Sequence, residues 1–209
     1  MITGRTWSWF AEGKHPSVKD FISMGQVSAL STGFSNWMIK GCAELYEQQQ
    51  LQGPGHISWR FFARGARKDE LACGLLRDSS DSIGRPYPFL IMGTGPAAGW
   101  EENWELLPSA CNETWRLMEQ LSSRPFNDVS SLEHELVSLK APATDWAAFR
   151  AGTNHVICGD PRDRRQDPPS AAFIGGTPEA SRYVVFRRPL KSSDFINLWT
   201  NMAVQEESQ

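Results

Sequence analysis

The chain has 209 residues, with 21 Lys and Arg against 24 Asp and Glu and a net charge of −3, so it lacks the basic face that general nucleic-acid binding requires. Nine tryptophans and eleven phenylalanines supply a sizeable core and favour a packed α/β body over disorder. No apolar run approaches the roughly 20 residues of a membrane helix, and the opening MITGRTWSWFAEGKHP lacks the apolar stretch of a secretory signal, which predicts a cytoplasmic protein without membrane insertion.

Taken in chain order, the alternating aromatic segment 5–11 predicts a first strand, broken by Gly13 and Pro16. Apolar residues at Val27, Leu30, Phe34, Trp37, Met38, Cys42 and Leu45 fall at helical offsets and predict an amphipathic helix over 27–46. The polar, Gly- and Pro-containing stretch 48–55 closes it. Segments 56–64, 70–77 and 87–93 read as strands whose short connectors make them antiparallel neighbours. Helices follow over 100–121 and 129–139, the second capped by Asn127 or Asp128. The charged, proline-rich segment 159–170 reads as an exposed loop. Segments 170–176 and 181–188 form a hairpin around TPEA, and 192–202 a last helix capped by Ser192 or Ser193. The fold class is therefore α/β in the loose sense: a mainly antiparallel central sheet with helices on its faces, in one domain over 1–209.

Cys42, Cys73, Cys111 and Cys158 lie far apart with no CxxC pair, which fits reduced, partly buried thiols rather than a zinc site or a disulfide framework. The four histidines are scattered without metal-ligand spacing and read as surface or capping residues. GTGPAA, with Gly93, Gly95 and Ala98, nominally fits a dinucleotide loop. Pro96 and the carboxylates Glu101 and Glu102 oppose a pyrophosphate there, so it reads as a strand-to-helix turn and no cofactor is expected. EGKH is no phosphate loop, HELVS lacks the second histidine of a zincin, and no GxSxG elbow occurs.

The stretch DSSDSIGRPYPFLI is the most pointed in the chain. Ser79, Ser80 and Asp81 are turn formers, Gly84 permits positive φ, and Pro86 and Pro88 fix the entry to a strand. Asp81 is expected to pair with Arg85 or to bind turn backbone, shielded by Tyr87 and by Trp59 or Phe61. A structural role outweighs catalysis because no base–nucleophile set accompanies it. The alternative is a hydrolase acting on a phosphorylated partner through Asp20, Asp81 and Arg85.

Three of these stretches together resemble the TagF/ImpM family of type VI secretion-associated proteins. Gly13, Lys14, Pro16, Asp20 and Phe21 match its GKxPxxGDFV-like motif. Trp59, Arg60 and Phe61 match its W-R-F strand, and Gly74, Ser79, Asp81, Gly84, Arg85 and Pro88 match its segment ending in GRxxP. Trp37 sits where the family helix carries a tryptophan. Lys19 stands where a glycine is usual, and Arg77 and Asp78 make the later segment more polar. The resemblance covers residues 5–95 and implies regulation rather than catalysis: a cytosolic, non-enzymatic accessory protein, a post-translational repressor of apparatus assembly. The partners it implies are type VI secretion components, including a forkhead-associated scaffold protein and a PP2C-type phosphatase. The matched residues then serve either the structure or partner binding.

Overall fold

The computed structural model describes residues 6–48, 57–151, 167–177 and 180–200. Its frame is one seven-stranded sheet in the order β2-β1-β5-β4-β3-β6-β7. The strands are β1 (Ser8–Gly13), β2 (Ile22–Gly25), β3 (Ser58–Arg64), β4 (Glu70–Arg77), β5 (Phe89–Pro96), β6 (Ala171–Thr177) and β7 (Ala180–Phe186). Every neighbouring pair is antiparallel. The helices are α1 (Ala29–Glu47), α2 (Leu107–Ser123), α3 (Val129–Val137), α4 (Trp146–Ala151) and α5 (Ser192–Trp199), and a 3-10 turn, Glu101–Leu106, leads into α2.

Helices cover both faces, which explains why the central strands read as nearly continuous apolar runs. Successive side chains point to opposite faces. Trp9, Ala11, Phe62, Leu71, Cys73, Leu75, Phe89 and Ile91 pack with α2 and α3 through Cys111, Trp115, Met118, Leu132 and Leu136. Phe10, Trp59, Phe61, Leu76, Leu90, Met92 and Phe173 pack with α1 and α5 through Phe34, Trp37, Met38, Phe195 and Leu198. The result is a three-layer sandwich with an aromatic core on each side of the sheet.

Several elements depart from the sequence reading. The first strand runs to Gly13 instead of stopping before it; Arg5 and His56 lie outside the described residues. β2 and α4 were not expected. Both are short, and Phe21-Ile22-Ser23-Met24 lies in a loop-like context of Ser, Lys and Gly. Val27 is exposed and precedes α1, whose cap is Ser28: its side chain accepts from the Ser31 N–H while Ser31 Oγ accepts from the Ser28 N–H. Asp128 caps α3, as one of the two expected candidates. The last helix is held differently from expectation. Neither Ser192 nor Ser193 caps it; Asp194 reaches back to accept the Lys191 N–H at 2.7 Å. The tip of the 177–180 hairpin and most of the 159–170 loop lie outside the described residues.

The glycines of GTGPAA do not form a turn. β5 continues through them to Pro96, and each leaves room for a tryptophan. A Cβ at Gly93 would stand 2.1 Å from the Trp9 ring, and one at Gly95 2.5 Å from the Trp7 ring. Trp7 and Trp9 stack at 5.6 Å between centroids, and Trp7 Nε1 donates to the Pro96 carbonyl at 3.1 Å. Gly74 in β4 plays the same part for Phe61, whose ring lies 2.2 Å from where a Cβ would be.

We expect Gly93→Ala to destabilise the protein by about 1–3 kcal/mol, because the buried Trp9 ring must move off the strand. Denaturant unfolding checks this: the midpoint falls and the slope stays unchanged.

Candidate functional site

The matched motifs converge where two connections meet: residues 14–21, between β1 and β2, and the turn 78–88, between β4 and β5. β1 and β5 are neighbours, so both connections leave from the same part of the sheet. Gly13 ends β1 at φ +129°, with the Pro88 carbonyl 2.0 Å from where its Cβ would be, so the two chains touch at a point only glycine allows. The Lys14 N–H donates to the Pro88 carbonyl at 3.4 Å and the Ser82 N–H to the Val18 carbonyl at 2.9 Å. Within the turn, Tyr87 N donates to the Ser79 carbonyl, and Ser80 bridges to Pro86. Gly84 supplies the left-handed residue at φ +84°.

Asp81 sits at the centre, with its side chain fully buried (0 % exposed). Its Oδ1 accepts the backbone N–H groups of Ile83 (3.2 Å) and Arg85 (2.9 Å). Its Oδ2 accepts Arg85 Nε at 2.5 Å and lies 3.1 Å from Lys14 Nζ. Burial pushes the Asp81 carboxyl up. The backbone and guanidinium of Arg85, the Lys14 ammonium and the Ile83 N–H outweigh that and hold it well below the usual carboxylate range. The hydrogen bond to Asp81 in turn raises Arg85. Arg85 reaches across to the first connection, where Nη2 donates to the Lys19 carbonyl at 2.6 Å and to Asp20 Oδ1 at 3.3 Å. Lys19 keeps a negative φ, so its place in the turn needs no glycine.

Asp20, Asp81 and Arg85, the trio of the hydrolase alternative, therefore do meet. Yet both oxygens of Asp81 are saturated, with four donors around two atoms, so this carboxylate has no lone pair left to serve as a base. Among the described residues, no three His, Cys, Asp or Glu side chains are grouped to hold a metal ion.

The solvent face is made by other atoms. The Asp20 side chain is 79 % exposed and that of Arg85 51 %. Phe21 stands exposed, edge-on to Tyr87 at 5.4 Å, and Ile83 is exposed at the tip of the turn. Trp59 and Phe61, expected to help shield Asp81, sit in the aromatic core on the α1 side of the sheet. Pro16 is exposed in the first connection, whereas Pro88 is buried at the start of β5 and Ser79 is buried in the turn.

The remaining matched residues lie elsewhere. Trp37 Nε1 donates to the Lys191 carbonyl at 2.7 Å and Trp59 Nε1 to the Leu198 carbonyl at 3.1 Å, so both tryptophans anchor α5 and its approach. Arg60 makes a two-pronged pair with Glu119 (2.7 and 3.0 Å) and lies over the Trp115 ring, fixing α2 to the sheet.

One residue of the site escaped the sequence reading. His15 is no surface histidine; it is completely buried. Nε2–H donates to the Leu121 carbonyl at 3.1 Å and Nδ1 accepts the Ser17 N–H at 3.2 Å, so the ring is a neutral, fixed tautomer that ties the first connection to the end of α2. Phe89 and Phe126 meet it edge-on. Burial lowers its pKa, the bond to Leu121 opposes this, and the charge of Arg77 adds to the lowering. The isolated His in GKHP gave no hint of a partner 106 residues away.

These features define an antiparallel-sheet α/β/α domain whose distinctive surface is a pair of loops locked on a buried aspartate. Residues 9–140 match the TagF N-terminal domain, Type VI secretion system-associated, and the chain belongs to that family. Among solved structures, it is similar to the crystal structure of PA0076 from Pseudomonas aeruginosa PAO1, with a TM-score of 0.63 and 18 % identity over 98 % of each chain, a likeness of fold. A comparison with curated proteins returned no match. No helix among the described residues is long and apolar enough to cross a membrane. Cys42, Cys73 and Cys111 are free and buried, and burial pushes the Cys42 thiol up to about 12; Cys158 lies outside the described residues.

Asp81→Asn should lower the denaturant midpoint more than Arg85→Ala does. The first change leaves two cations without their counter-charge, whereas the second leaves Asp81 with Lys14 and the Ile83 and Arg85 N–H groups. The pH response follows from the depressed carboxyl. Its stabilisation is complete above the ordinary value of 3.8 and is lost as pH falls through the lower folded value, so Asp81→Asn flattens the acid limb of stability against pH.

His15 adds a second window. Its contribution is present above 6.5 and is lost as pH falls through the lower folded value, because protonated Nδ1 faces the Ser17 N–H. Melts at about pH 7 and about pH 5 should differ less for His15→Gln than for the parent.

Proposed function

We propose that this type VI secretion-associated protein is a non-enzymatic regulator in the cytoplasm that restrains apparatus assembly through protein–protein contact. The observation that supports this reading best is the saturation of Asp81. The buried carboxylate of the candidate trio is used up in holding two loops together, while Phe21, Ile83 and the outer edge of Arg85 face solvent on that base. Rigid loops with exposed aromatic, aliphatic and arginine side chains suit recognition, since little ordering entropy is lost on binding. The partners that the family resemblance implies are components of the secretion machinery, with a forkhead-associated scaffold protein and a PP2C-type phosphatase as the leading candidates. The hydrolase reading draws on the meeting of Asp20, Asp81 and Arg85, but the buried Asp81 offers no free oxygen, so of the two carboxylates only the exposed Asp20 is left to act.

Removing the gene from its host should leave type VI secretion unchanged or raised, and overproducing the protein should lower it, as read by the amount of secreted apparatus protein in the medium. Secretion that collapses on removal would point instead to an assembly role. Phosphorylated proteins accumulating on an Asp81→Asn variant would revive the hydrolase.

A further inference from the structure

Arg85 divides its hydrogen-bonding capacity between two jobs. Nε and the backbone N–H are bound to Asp81, and Nη2 to the Lys19 carbonyl and, at the longer distance of 3.3 Å, to Asp20. Nη1 has no hydrogen-bond partner among the described residues, and it belongs to a side chain that is half exposed. A guanidinium presents five N–H donors in a planar fork, so this one keeps an unused edge. Asp20 is a replaceable neighbour: it is 79 % exposed and makes a single long contact.

The surroundings favour an incoming negative group. Lys14, Lys19 and Arg85 gather here against Asp20 and Asp81, and the charge of Asp81 is buried. The exposed surface therefore presents Lys19 and Arg85 against Asp20 alone, a local positive excess on a chain of net charge −3. Phe21 (44 %) and Ile83 (59 %) stand exposed on the two loops that Arg85 joins. Above the turn the space is open: a Cβ at Gly84 would meet nothing within 4 Å, so another backbone can approach closely.

We propose that the free edge of Arg85 receives a carboxylate from an extended acidic segment of the protein partner, with apolar neighbours of that carboxylate resting on Phe21 and Ile83. This rests on the contact reading given above. Asp81 is then the foundation that aims the guanidinium, and Arg85 is the residue that touches the partner. The carboxylate displaces Asp20 and forms charge-assisted bonds with Nη1 and Nη2.

The test uses the full chain with a photoreactive phenylalanine analogue in place of Ser82, an exposed side chain beside the fork. Cross-linking is done in cells with an active type VI apparatus, and the attached peptide is identified by mass spectrometry. The inference expects a peptide of a secretion component with Asp or Glu beside the cross-linked position. Arg85→Gln, shown to be folded by its melt, should reduce the cross-link yield about tenfold to a hundredfold, the worth of a charged hydrogen bond. Ile83→Ser, at an exposed position, should reduce it independently. A folded Arg85→Gln that cross-links normally overturns the inference and leaves the regulatory reading standing. Loss of the cross-link when irradiation is repeated in a cell extract treated beforehand with phosphatase also overturns it, assigning the edge to phosphate. A parent chain that cross-links to no secretion component defeats the regulatory reading as well.

Discussion

The carboxylate of Asp81 is the point on which the distinctive half of this molecule turns. A buried charge is tolerated only when it is fully paired and hydrogen-bonded, and here the pairing is drawn from two separate stretches of chain. Lys14 comes from the first connection, and Arg85 and Ile83 from the turn that carries Asp81 itself. Meeting the needs of one anion therefore fixes the relative position of two loops. Gly13 brings the backbones within reach, Gly84 lets the turn close, and Pro88 leads into β5 while its carbonyl accepts the Lys14 N–H. His15, beside Lys14, secures the start of the first loop against α2, and Arg85 holds its end through the Lys19 carbonyl.

Beneath the loops lies a sheet that would be crowded with aromatic rings if its strands did not make way for them. Gly74, Gly93 and Gly95 omit side chains where Phe61, Trp9 and Trp7 lie flat against the backbone. On the α1 side the same device recurs between helices, where Gly41 admits the ring of Phe195 to 2.4 Å from a would-be Cβ. The α5 helix is then secured electrostatically. Buried Asp194 takes two bonds of 2.7 Å from Arg188 and a third from the Lys191 N–H. Core tryptophans with satisfied indole N–H groups, Trp37 and Trp59, point at the backbone of that same region.

Much of the fold was legible because long segments with a clear period declare themselves. α1, β3, β4, α2 and the closing hairpin each carried their pattern locally. The turn at Asp81 was legible too, since Ser, Asp, Gly and Pro encode turn geometry within a few residues. What stayed hidden depends on distant contacts. β2 is only four residues long and gains its identity by pairing with β1. The glycines of β5 looked like a turn because their cause, Trp7 and Trp9, lies on another strand. His15 and Arg60 have partners on α2, which no spacing in the sequence announces. The site was readable as a turn and as a family motif. That Arg85 keeps one edge bound and one edge open appears only with its neighbours in place.

The place of β3 has a consequence for how the protein is made. The family match ends at residue 140, yet β3 is interior to the sheet, and its second neighbour is β6, which is followed by β7. While the nascent chain emerges, everything up to α3 can form before β6 exists. During that interval β3 is an open edge, and the α1 side lacks Phe173, Phe186, Phe195, Leu198 and Trp199. An unpaired edge strand beside uncovered aromatic rings is a template for aggregation. A fragment cut at the end of the matched segment would be caught permanently in that state. The last third of the chain is therefore the part that pairs the open edge of β3 and covers the aromatic rings left bare by the first two-thirds, and shielding by chaperones during synthesis would matter most until residue 199 has left the ribosome.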